Sequence, residues 1–209
     1  MEYPSSDPSV VRSIRQRVLL NAWLRALHKP HPLPVLTDFD PDTGIDELAD
    51  MMGFDVEGEG QSVRFLITQE GTRLTATYGN EDIAPEARTN RYLHDAIGPD
   101  RYARVVGCYR ECVVRKRPIY SITTAQDADG KEVSYERLLL PFGRDGTVAH
   151  IVGSYKTISI EGGFKVNNLF GFRPMAEPAR IVNAIIDREV ARRPAGVRAS
   201  DDIVIVGAG

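Results

Sequence analysis

Cysteine is scarce here: the 209 residues contain two, Cys108 and Cys112. A chain of this length buries a sufficient core without disulfides or metal, so one principal domain is the expectation. Basic charge is not in excess. The formal net charge is -3 and the isoelectric point is about 5.8, which leaves no general field for nucleic acid. No apolar run approaches the ~20 residues that span a bilayer. The first residues, with Ser5, Ser6 and Asp7, do not read as a basic segment followed by an apolar one, so no signal peptide is expected and a cytoplasmic location follows. Also lacking are a Ser-His-Asp order, a His-Glu-x-x-His run and a Walker-type loop, so catalysis has no motif to rest on. The expectation is a protein that is not an enzyme.

What is present begins with a hairpin. Tyr135 to Phe142 and Thr147 to Tyr155 are rich in apolar residues and are joined through Asp145-Gly146, a tight-turn pair. Counting by twos puts Tyr135, Arg137, Leu139 and Pro141 on one face and Glu136, Leu138, Leu140 and Phe142 on the other. Both faces carry leucine, so the sheet is expected to be covered on both sides. Upstream, Met52, Phe54 and Val56 alternate up to Glu57-Gly-Glu-Gly60, and Val63, Phe65 and Ile67 alternate after it, which predicts a first hairpin. From Leu74 to Val114 the pattern turns helical, with short segments around Gly79 and Asp95. A longer helix then carries Tyr102, Val105, Val106, Tyr109 and Val113 at three-four spacing. Ile119 to Ala125 reads as a strand, and Asp129-Gly130 turns the chain into the hairpin already described. The order is two strands, several helices, three strands.

Helices are also expected outside this core. Asp7-Pro8 starts one carrying Ile14, Val18, Leu20, Trp23, Leu24 and Leu27, stopped by Pro30, Pro32 and Pro34. Glu177-Pro178 starts another with Val182, Ile185, Ile186 and Val190 as its apolar stripe. The divisions are then 1–34, an N-terminal helical extension; 35–160, the domain; and 161–209, a C-terminal helical extension and tail. The last residues, Asp201 to Gly209, look like the opening strand of a dinucleotide-binding unit but lack its third glycine and helix, so no cofactor is assigned to them.

Trp23 on an early helix, Pro34 with Asp38-Phe-Asp-Pro41, Gly71-Thr72, and above all Glu136-Arg-Leu-Leu-Leu-Pro141 resemble the pattern of the stand-alone proteobacterial PAS family. The resemblance covers roughly positions 20 to 160. It implies an α+β fold with a five-stranded antiparallel sheet and helices inserted after the second strand, acting as a sensory or adaptor module. The alternative is a ligand-free interaction or dimerisation domain.

The resemblance does not name a cofactor, and none is assigned. Nothing is similar to the Asn-Cys-Arg-Phe-Leu-Gln helix of flavin photoreceptors, Cys-x-x-Cys-His is missing, and the long helix offers no histidine to a haem, with His94 lying just before it. Cys108 and Cys112 share one helix face, half of a metal site or a thiol pair at most. Burial is the ordinary role of such cysteines, with regulatory thiol chemistry as the alternative. With two-residue turns on both sides, Arg137 falls opposite Ile122 and Ser154, and Tyr120, Tyr135, Arg137, His150 and Ser154 converge on one face as a candidate site for a small anionic or aromatic molecule. A carboxylate partner for Arg137 is the structural alternative. Trp23, Val182 and Ile185, on the flanking helices, are the candidate interface residues for a homodimer or a signalling partner.

Overall fold

The computed structural model describes residues 2–27, 31–41, 45–77, 89–126, 132–159 and 179–187. In chain order these form β1 (Ser5–Ser6), α1 (Ile14–Ala26), α2 (Ile45–Leu48), β2 (Met51–Glu57), β3 (Arg64–Glu70), α3 (Thr72–Thr77), α4 (Leu93–Ile97), α5 (Pro99–Arg115), β4 (Ile119–Gln126), β5 (Glu132–Arg144), β6 (Thr147–Ser159) and β7 (Ala179–Ile186). All seven strands belong to one sheet in the order β1-β7-β4-β5-β6-β2-β3. The expected number was five. Those five, β2 to β6, occupy consecutive places, and β7 and β1 extend the sheet beyond β4.

The sheet is covered on both faces, as the alternation of β5 requires. Leu139 joins Phe54, Phe65, Ile67, Cys108, Tyr109 and Cys112 in one core beneath α5. Leu138, Leu140 and Phe142 join Leu19, Leu20 and Trp23 in a second core beneath α1. Leu138, Leu139 and Leu140 are 0%, 0% and 1% exposed, so three successive side chains serve two cores, each worth about 1.5–3 kcal/mol of transfer.

The first helix begins later than the sequence pattern suggests. Asp7 caps only a 3₁₀ turn, Pro8–Val10, and Ser13 caps α1 proper through the Gln16 amide. The buried stripe is accordingly Gln16, Leu19, Leu20, Ala22, Trp23 and Ala26, while Ile14 lies in solvent. Helix α5 keeps its expected face: Val106, Cys108, Tyr109 and Cys112 are buried. It ends at Lys116, whose left-handed φ of 54° and backbone N–H donating to the Cys112 carbonyl close the last turn. The helical segment expected around Gly79, the Asp129-Gly130 turn and the 201–209 tail lie outside the described residues.

The expected C-terminal helix is, over the described residues, strand β7. It runs antiparallel to β4, with Ile119 opposite Ile185 and Ser121 opposite Asn183. The apolar residues obey period two: Val182, Ala184 and Ile186 pack on the α1 side and Ile185 on the α5 side. A short apolar run satisfies both periods, and the free edge of β4 decides between them, because that edge otherwise leaves a row of backbone donors and acceptors unpaired.

Ion pairs tie the α1 layer together. The Lys156 ammonium meets Glu47 at 2.9 Å and Asp50 at 2.5 Å, and Arg73 binds the other Asp50 oxygen at 2.8 Å. With Glu47 only 3% exposed, Lys156 is what makes that carboxylate tolerable in place, and β6 is thereby tied to the segment before β2.

Candidate functional site

The arrangement around Arg137 follows from register. The Asp145-Gly146 turn forms as expected, with φ of 52° and 75°, and is flanked by Arg144 and Thr147. One step later the ladder slips: Gly143 faces Val148, but Phe142 faces His150. This bulge inserts one residue into β6, so Arg137 pairs with Tyr155 rather than Ser154. On its other side Arg137 pairs with Ser121 rather than Ile122. Each slip is one residue, and one residue exchanges faces.

The five sequence-predicted site residues are therefore divided. Tyr135 and Arg137 lie on the α5 side. Tyr120 and Ser154 both pair with Leu138 and lie on the α1 side, where Tyr120 Oη donates to Glu136 Oε2 at 2.8 Å and Gln16 Nε2 donates to the Ser154 carbonyl at 3.0 Å. Burial pushes the Tyr120 hydroxyl well above its usual range. His150 sits at the outer end of β6, about two-fifths exposed and 2.7 Å from Asp55. The three interface candidates are also placed within the fold. Trp23 is 1% exposed, its indole N–H donating to the Pro141 carbonyl at 2.7 Å. Ile185 is 6% exposed, and Val182, half-buried, packs against the second core.

Three residues that sequence reasoning left out of the site complete it. Cys108 and Tyr109 come from α5 and Tyr155 from β6. The guanidinium carbon of Arg137 is 5.9 Å from the ring centres of Tyr109, Tyr135 and Tyr155, at the outer limit of cation–π attraction. One terminal nitrogen of Arg137 donates to Cys108 Sγ at 3.5 Å, and Tyr3 Oη donates to the same sulfur at 3.1 Å. Tyr109 and Tyr155 share a hydroxyl–hydroxyl bond of 2.5 Å. A hint lay in Gly153-Ser-Tyr155. A Cβ on Gly153 would stand 2.6 Å from Tyr155 Oη, so the glycine leaves room for the Tyr155 ring to lie back along β6 toward α5.

No carboxylate reaches Arg137 among the described residues, although its side chain is only 8% exposed. Its Nε has no hydrogen-bond acceptor. Burial disfavours the charge, and the opposing attraction of Cys108, Tyr109, Tyr135 and Tyr155, which raises the guanidinium's pKa, acts only through their ionised forms. Burial likewise pushes the Tyr109 hydroxyl up, with Arg137 opposing, so that phenol is neutral at physiological pH and supplies no anion. The structural alternative, an arginine paired with a carboxylate, is absent from the described residues. A buried cation in such a setting is costly and marks a candidate binding position.

The two thiols differ. Cys112 Sγ lies 3.6 Å from the Arg117 carbonyl and 3.9 Å from that of Leu139, and burial, with Cys108 adding to it, raises its pKa well above the ordinary thiol value. Its place is structural. No group of three or more potential metal ligands occurs among the described residues.

Two small substitutions check this arrangement. Gly153→Ala is expected to push the Tyr155 ring away from β6 and cost about 1–3 kcal/mol; urea denaturation reads the loss, and an unchanged midpoint would show that the ring yields freely. Tyr109→Phe removes one partner of a buried hydroxyl pair and is expected to cost about 0.5–1.5 kcal/mol in the same measurement.

No helix among the described residues is long and apolar enough to cross a membrane. No family model matches the sequence, and no curated protein matches it. Eight chains of solved structures match. One of them, an RsLOV variant, is 15% identical, with a TM-score of 0.34, and the match covers 57% of this chain and 66% of that one.

Proposed function

We propose that this chain is a PAS-type sensory or adaptor module whose binding position is the α5-side face of the sheet around Arg137. The observation that carries the reading is the buried guanidinium with no carboxylate against it among the described residues and a free Nε. An arginine used only for structure is ordinarily paired when buried; one held unpaired serves a partner from outside the fold. The strand order β4-β5-β6-β2-β3, with α3 to α5 inserted between β3 and β4, supports the PAS part of the reading, as does the Glu136 to Pro141 segment at the sheet centre.

Output in this reading passes to a second copy or a protein partner. A ligand shifts such an output only by binding one arrangement of the protein better than another. The test is native mass spectrometry of the purified chain together with thermal melts against a small-molecule library. A co-purifying molecule or a saturable rise in melting temperature supports the module. A chain that carries nothing and responds to nothing is instead a filled interaction domain.

A further inference from the structure

We infer that the ligand class at Arg137 is a small monocarboxylate with a flat apolar or aromatic body, an inference that rests on the α5-side face being the binding position. The charge sets the first limit. The Arg137 guanidinium stands among Cys108 and Tyr109 on α5, Tyr135 on β5 and Tyr155 on β6, and among the described residues no second cation shares these contacts. A single negative charge is compensated there, whereas the second charge of a phosphate is left uncompensated in a poorly solvated interior.

Geometry sets the second limit. One terminal nitrogen is turned toward Cys108 Sγ, and the edge that carries Nε has no acceptor there. That edge presents two parallel N–H donors, Nε and the other terminal nitrogen, at the spacing of the two oxygens of a carboxylate. A neutral amide supplies one acceptor and a repelling N–H to the same fork. The surroundings set the third limit. Three tyrosine rings stand about the cation, and the Tyr109 and Tyr155 hydroxyls are already joined to each other, so the walls offer π-faces and edges to a flat body. Tyr135 is half-buried while Tyr109 and Tyr155 are buried, which puts the approach from solvent on the Tyr135 side.

The full-length chain, freed of any resident ligand, is titrated by calorimetry and by thermal melts with benzoate, 3-phenylpropionate and hexanoate, against benzamide, phenylphosphonate and inorganic phosphate. Saturable binding of at least one monocarboxylate is expected, tighter than benzamide, and weakened by roughly 10–150-fold in Arg137→Gln, the equivalent of a charged hydrogen-bonded contact. Arg137→Lys keeps the charge without the fork and is expected to bind more weakly than the native chain. Tyr135→Leu is expected to weaken benzoate more than hexanoate. Where Arg137→Gln does not fold, Arg137→Met and Arg137→Lys take its place in the comparison. Preference for phenylphosphonate or phosphate, or benzamide equal to benzoate, overturns the monocarboxylate while leaving a binding module in place. Binding that persists undiminished without the arginine overturns the site. Failure of every probe, with nothing co-purifying, overturns both this inference and the module reading.

Discussion

Replacing Ile185 by aspartate is expected to unfold the protein rather than to alter its assembly alone. Ile185 is 6% exposed, faces Ile119 across the β4–β7 ladder and belongs to the core beneath α5. An aspartate there puts a carboxylate into an apolar core, and the expected loss is about 3–5 kcal/mol, a large part of the 5–15 kcal/mol typical of a domain. Circular dichroism and urea denaturation measure it. Had residues 179–186 formed the amphipathic helix that their apolar residues allow, the same change would leave the core intact and disturb only an interface. A folded Ile185→Asp protein with altered sedimentation would therefore restore the helix and remove β7 from the sheet.

Arg137→Met is expected to act in the opposite direction. A buried charge with no counter-charge among the described residues opposes folding, and an apolar side chain of similar length removes that cost while keeping most of the packing, so the ligand-free variant should be about 1–4 kcal/mol more stable than the native chain. The same variant should lose its response to carboxylates. Denaturation midpoints of both proteins, measured after removal of bound small molecules, read the first effect; calorimetric titration reads the second. Stability gained together with binding lost is the mark of a residue kept for a ligand. A ligand-free Arg137→Met protein less stable than the native chain would show that the three tyrosines and Cys108 already compensate the guanidinium, and that its role is internal.

Glu136 carries the same tension on the other face. It is fully buried, accepts from Tyr120 Oη and from the Ser13 amide at the start of α1, and has one oxygen without a donor among the described residues. Neighbouring residues of β5 thus bury polar side chains on opposite sides of the sheet, each at a helix layer.

Period-two alternation along Glu136 to Phe142 was enough to require two cores, because a strand with leucines on both faces finds water on neither. The Asp145-Gly146 turn and the buried face of α5 were equally legible, since local conformational preference and helical spacing are properties of nearby residues. What these signals lacked was the neighbour across the sheet. The bulge between Phe142 and Gly143 and the one-residue offset from β4 moved Tyr120 and Ser154 away from Arg137 and brought Tyr155 to it, and no local pattern records an inserted residue whose cost is offset by pairing elsewhere in the ladder. The fate of residues 179–186 is the same kind of case. Their apolar spacing fits a helix or a strand, and the open edge of β4, sixty residues earlier in the chain, decides between the two by completing its hydrogen bonds. Sequence by itself determined a two-sided α+β sheet with an arginine at its centre; tertiary pairing decided which side the arginine faces and what stands around it.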